Sequence, residues 1–162
     1  MLGPRNAGVF DLGDVAREVI DFFGPAAEAR GLTLELSAAG PALLYGDRTT
    51  ASRAVANLID NALAYDASRS PLEVRVAPDG PGRVELSVAD RGPGIPDELR
   101  PVIFDRFVRG PGASTARPDG AGLGLALVRA VARQLGGDAE HQPREGGGSV
   151  FRLRLPLATP PA

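Results

Sequence analysis

The sequence predicts a two-layer α/β sandwich, an open sheet with three helices on one face. Three observations carry this. The segments "LTLELS", "LEVRVA", "RVELSVAD" and "GSVFRLRLP" alternate apolar and polar residues, so each strand has one greasy and one wet face. Three longer segments carry apolar residues at helical spacing instead. The order is helix, strand, helix, hairpin, irregular stretch, helix, strand, and one-sided strands require all the helices to cover the same side. A sheet buried on both faces would need continuous apolar strands.

In order along the chain, residues 1–10, "MLGPRNAGVF", read as linker, and the domain as 11–157, with 158–162 a tail. Asp11 is placed to cap a helix over 11–30, with Leu12, Val15, Val19 and Phe22 facing inward and Pro25 ending or bending it. The second helix spans 47–65, where Val55, Leu58, Ile59, Ala62 and Leu63 make the apolar stripe. The alternating runs either side of "PDGPG" form a hairpin. Residues 91–122 are rich in Gly, Pro, Arg and Ser around "VIFDRFV", and so long a weakly patterned stretch inside a domain points to function or disorder. A third helix over 121–135 presents Leu123, Leu127, Val128, Val131 and Leu135 and stops at Gly136-Gly137.

The totals exclude several chemistries. No cysteine occurs, so there is neither a thiol nucleophile nor a thiolate metal site, and a single histidine rules out a multi-histidine one. A metal would need oxygen ligands, which points to magnesium or calcium. The formal net charge of -2 makes no case for a nucleic-acid or membrane surface. All 18 basic residues are arginine, so any cationic grip on phosphate is a two-pronged guanidinium. No apolar run approaches the ~20 residues that cross a bilayer.

Three constellations carry chemistry. In "ANLIDNALAYD", Asn57, Asn61 and Tyr65 form a drifting stripe beside the apolar face of the second helix. It is either a solvated back face or a ligand surface. In the second case the asparagine oxygens suit magnesium and the tyrosine ring suits a base. In "VADRGPGIP", Asp90 ends a strand ahead of Gly92 and Gly94. The glycines alone read as a turn. The carboxylate, however, accepts the adenine amino group and repels the guanine oxygen. In "DGAGLGLAL", Gly120, Gly122 and Gly124 open the third helix, where free N–H groups and the positive helix end suit a phosphate. The stretch "REGGGSVF" is either a plain hairpin turn or part of the same site.

Taken together, "NLIDNALAY", "DRGPGIP", "IFDRF", "GAGLGLAL" and "GGGSVF", in this order, resemble the ATP-binding catalytic domain of bacterial two-component sensor histidine kinases, of the superfamily shared with gyrase, Hsp90 and MutL. The resemblance runs from about residue 11 to 157. It implies the Bergerat fold: an α+β two-layer sandwich with a mixed sheet of about five strands and three helices on one face. It implies Mg-ATP as ligand, with Asn61 on the magnesium and Asn57 steadying the phosphate end. Tyr65 would then pack on the adenine and Asp90 bond its amino group, with Gly92, Gly94 and Ile95 beneath the base. An ATP lid would span about 100–122, anchored by Phe104 and Phe107. Gly120, Gly122, Leu123, Gly124 and Leu125 would form its phosphate-facing end, Ser149 would line the pocket, and Arg106 and Arg109 would sit near the phosphates. Ala64 departs from the pattern, standing where many relatives have a basic residue, and Asp66 follows the tyrosine where Ser or Thr is common.

The resemblance also implies partners: an upstream dimerisation domain that carries the phosphate-accepting histidine, and a response regulator. The implied location is the cytoplasmic side of an inner-membrane sensor kinase, with no nucleic acid and no membrane contact by this domain. His141 does not match the acceptor motif and reads as an exposed loop residue. Where the ATPase branches of the superfamily carry a water-activating glutamate, this chain has Asn57, which cannot take up a proton. That favours transfer to a histidine over hydrolysis. Two alternatives stay open: an ATP-hydrolysing conformational switch of the gyrase, Hsp90 or MutL type, and a binding module that makes no use of nucleotide.

Overall fold

Asp11 and Asp47 each end a short strand and open a helix. The computed structural model describes residues 6–65, 70–105 and 124–158. Strand β1 (Ala7–Asp11) pairs antiparallel with β3 (Leu43–Asp47) in a separate two-stranded ribbon. Helix α1 (Leu12–Ala29) follows β1, and α2 (Arg48–Tyr65) follows β3. The Asp11 carboxylate accepts the N–H of Gly13 at 2.8 Å, and that of Asp47 accepts the N–H of Thr49 at 2.9 Å. Both helices thus start from side-chain caps supplied by the ribbon. Phe10 and Leu44 point from it into the core, while Val9, Leu43 and Tyr45 stay exposed.

The main sheet has the order β2-β4-β5-β7-β6, built from β2 (Leu34–Ala38), β4 (Leu72–Pro78), β5 (Arg83–Ala89), β6 (Asp138–Pro143) and β7 (Ser149–Pro156). The β2–β4 pair is parallel and the other three are antiparallel. Alternation decides which face is covered. Leu72, Val74 and Val76 of β4, Val84, Leu86 and Val88 of β5, and Phe151, Leu153 and Leu155 of β7 are all buried. The intervening residues make an open charged face, where Arg152 meets Glu85 at 2.8 Å and Arg154 meets Glu140 at 3.2 Å. Helix α2 lies between α1 and α3 (Gly124–Gln134) and packs on β5, while α3 packs on β6 and β7. The mixed five-strand sheet with three helices on one face is the expected architecture.

Four expectations are corrected. Residues Ala7–Phe10, read as linker, belong to β1, because β3 offers them a full antiparallel partner. Pro25 does not end helix α1, which continues to Ala29 as the 11–30 span expected; Asp21 and Pro25 are exposed, so water can take the hydrogen bond that proline cannot make. Phe22 is exposed and Phe23 packs against the core instead. At about 100° per residue, Phe23 falls close to the Leu12 direction and Phe22 at the edge of the stripe. His141 is not in a loop: it lies in β6, half-buried and paired with Phe151.

Candidate functional site

The site grows from the C-terminal end of β5. Asp90 follows that strand and is 4% exposed. One carboxylate oxygen, Oδ1, accepts the N–H of Gly92 at 2.9 Å and the N–H of Ser149 at 3.3 Å. The Asp90 N–H in turn donates to the Ser149 carbonyl at 2.9 Å. The carboxylate is therefore locked between the turn that leaves β5 and the first residue of β7. Buried acceptors of this kind hold their geometry because movement would strand them without partners.

The β6–β7 hairpin makes this clamp possible. Gly146, Gly147 and Gly148 all have positive φ, as a tight turn requires, so the hairpin reading of "GGGSVF" is correct as far as it goes. Gly148 does more: a Cβ there would lie 2.0 Å from the Asp90 carbonyl oxygen. Only a residue without a side chain lets the two backbones close. Gly94, with φ of +76°, also lies close to Gly148: a Cβ there would be 3.5 Å from the Gly148 carbonyl oxygen. Ile95 packs against the core beside them.

The second part of the site lies on the helices. Asn57 and Asn61 are half-buried, one turn apart on α2. The Asn57 amide nitrogen donates to the carbonyl of Gly124, the first residue of α3, at 3.5 Å. Asn57 thus faces the start of α3, and α2 packs on β5, the strand that delivers Asp90. Leu125 packs against the core next to Gly124. Tyr65 ends α2, but its side chain is outside the described set. Arg106, Phe107, Arg109, Gly120, Gly122 and Leu123 also lie outside the described residues, as does most of the expected lid. Of the lid's described part, Phe104 is buried edge-on to Phe151 with ring centres 6.1 Å apart, and the Arg129 guanidinium lies 4.5 Å above it.

Sequence reasoning missed His141. Its Nε2 is 2.9 Å from the Ser149 hydroxyl oxygen, and its ring centre is 4.9 Å from that of Phe151. Burial, helped by the nearby Arg100 charge, lowers its pKa from 6.5 to about 4 and keeps the ring neutral. The available signal was the glycine-flanked "DAEHQP" run opposite "SVFRLRLP", which fits a hairpin partner even though only Ala139 in it is fully buried.

With this geometry in view, residues 46–159 match the family model described as histidine kinase-, DNA gyrase B- and HSP90-like ATPase. The chain belongs to this family. Sensor protein CutS of Streptomyces coelicolor is 36% identical over 148 residues, covering 91% of this chain and 35% of CutS. The solved mycobacterial sensor histidine kinase MprB superposes with a TM-score of 0.79 at 27% identity, covering 94% of this chain and 99% of that one. Full-length ShkA in complex with AMPPNP gives a TM-score of 0.81 at 28% identity, covering 96% of this chain and 32% of that one. The chain is thus an ATP-binding catalytic domain of the sensor histidine kinase type, spanning about a third of the length of curated relatives such as CutS. Within this domain no helix among the described residues is long and apolar enough to cross a membrane.

Proposed function

We propose that this domain binds Mg-ATP with the purine at Asp90 and the phosphates between Asn61 and the start of α3, and passes the γ-phosphoryl group to a histidine on a separate dimerisation domain. The observation that carries the reading is the double N–H clamp on the buried Asp90 carboxylate. It fixes an acceptor where the adenine amino group can donate and leaves guanine's oxygen facing a negative charge. Tyr65 would pack on the base, and Gly92, Gly94, Ile95 and Ser149 would line its pocket. AMPPNP in full-length ShkA supports an adenine nucleotide as the ligand class.

The donor set fits magnesium held jointly with the nucleotide. Among the described residues no group of three His, Cys, Asp or Glu side chains could hold a metal alone. A single neutral amide oxygen, that of half-buried Asn61, suits an ion whose other positions are water and phosphate. When bound, magnesium neutralises charge on the phosphate oxygens. Asn57 ties α2 to the first turn of α3 and cannot act as a base, so its position supplies no group to activate water. A neutral imidazole needs no such activation, and phosphoryl transfer asks the protein mainly for position and charge. Gly120, Gly122, Leu123, Gly124 and Leu125 would contribute the phosphate-facing segment, with Phe107 in the lid and Arg106 and Arg109 supplying positive charge.

The partners are a histidine-bearing dimerisation domain and a response regulator, and the setting is the cytoplasmic part of a sensor kinase in the inner membrane. CutS and MprB, named as sensor proteins, support this. The test is to add labelled ATP, magnesium and a relative's dimerisation domain to this chain. Acid-labile label on that domain's histidine is expected, with none for Asn61→Ala. Steady phosphate release with no labelled histidine would overturn transfer in favour of hydrolysis.

A further inference from the structure

We propose that His141 is a positioning residue for purine recognition, holding the Ser149 hydroxyl, and through Ser149 the Asp90 carboxylate, in the orientation that distinguishes adenine from guanine. The inference rests on the reading of Asp90 as the purine-binding end. The Ser149 main chain already holds Asp90 twice: its carbonyl accepts the Asp90 N–H at 2.9 Å and its N–H donates to the Asp90 carboxylate at 3.3 Å. Ser149 is 2% exposed, and its hydroxyl meets His141 Nε2 at 2.9 Å. A shift of Ser149 therefore moves the carboxylate with it.

Packing does not explain a histidine at this place. Its Nδ1 is buried with no hydrogen-bond partner, and an aliphatic side chain would fill the space against Phe151 without stranding a polar atom. The polar atom that is used is Nε2. A ring with its proton on Nε2 leaves only a bare lone pair at Nδ1, which is less unfavourable than a bare buried N–H. Nε2–H then donates to the serine oxygen, so the serine's own proton is free for a ligand acceptor. Adenine presents an acceptor at ring N1 beside its amino donor, and guanine inverts both. Asp90 as acceptor and Ser149 as donor, directly or through one water, match adenine alone.

The test compares ATP and GTP affinity, with magnesium, by calorimetry for the unaltered chain, His141→Val, Ser149→Ala and the double variant. His141→Val is expected to weaken ATP about tenfold with little change for GTP, and the double variant to be no weaker than Ser149→Ala, since both act on one hydroxyl. His141→Gln, whose amide still donates, should recover most of the loss. Unchanged ATP affinity in His141→Val, or losses that add in the double variant, overturn the proposal. Because the chain has a single histidine, imidazole nitrogen NMR gives a second readout without substitution. A proton on Nε2 and a resonance that moves with ATP are expected; a proton on Nδ1, or a resonance blind to ATP, overturns it. Failure of the unaltered chain to bind ATP overturns the site reading and this inference together, whereas binding that ignores His141 overturns this one only.

Discussion

The two ends of the site are built differently. At the Asp90 end the contacts come from main chain: a carboxylate held by two N–H groups, a glycine turn pressed against a strand end, a serine 2% exposed. At the other end, Asn57 and Asn61 are half-buried on α2, and the Asn57 amide reaches the first residue of α3. A base is recognised by the directions of its donors and acceptors, so its receptor must be rigid before it arrives. Phosphate and cation bring most of their own ligands and charge, so their receptor can stay half open to water. On the proposed function, the difference follows from what each end has to recognise.

The sharpest way to break the first end is Gly148→Ala. A Cβ would collide with the Asp90 carbonyl, and φ of +104° is unfavourable for any side chain. We expect a loss of about 3 kcal/mol in urea unfolding, strain and overpacking together, with loss of ATP binding. Asp90→Asn keeps the shape but replaces a charged acceptor. It should weaken ATP by roughly 10- to 100-fold in calorimetry and narrow the preference over GTP.

At the other end, Asn61→Ala should act only when metal is present. ATP affinity with magnesium should fall about tenfold, towards the magnesium-free value, while adenosine binds as before. An equal loss for adenosine would mean that the two ends are not separable.

The smallest effect concerns acidity. His141 has a folded pKa of about 4, below the ordinary 6.5, so the unfolded chain binds more protons between these values. Its contribution to stability is complete above pH 6.5 and is lost as pH falls towards 4. Allowing for solvent screening of a half-exposed ring, the loss is about 1 kcal/mol. It is measured as the difference in pH dependence of unfolding between the unaltered chain and His141→Val. No difference would place the ring in a less buried setting.

Much of this was legible in the sequence. Val55, Leu58, Ile59, Ala62 and Leu63 declare α2, and all five are buried. The alternation of β4, β5 and β7 declares their covered face. What escaped were β1, β3 and β6, which are short and carry little alternation of their own; each is a strand because a partner pairs with it. The same holds in the candidate site. Asp90, Asn57 and Asn61 were proposed from residue type and spacing, whereas the clamp between Asp90 and Ser149 joins positions 59 residues apart.

By itself the sequence determined the helices, the one-sided sheet, and which side chains have the chemistry for a purine and a cation, since periodicity and functional groups are local properties of the chain. The tertiary structure alone decided that Gly148 admits Asp90 and Ser149 to each other, that Phe23 rather than Phe22 faces inward, and that the one histidine meets the Ser149 hydroxyl. These are contacts between distant segments, and they exist only once the sheet has set its register.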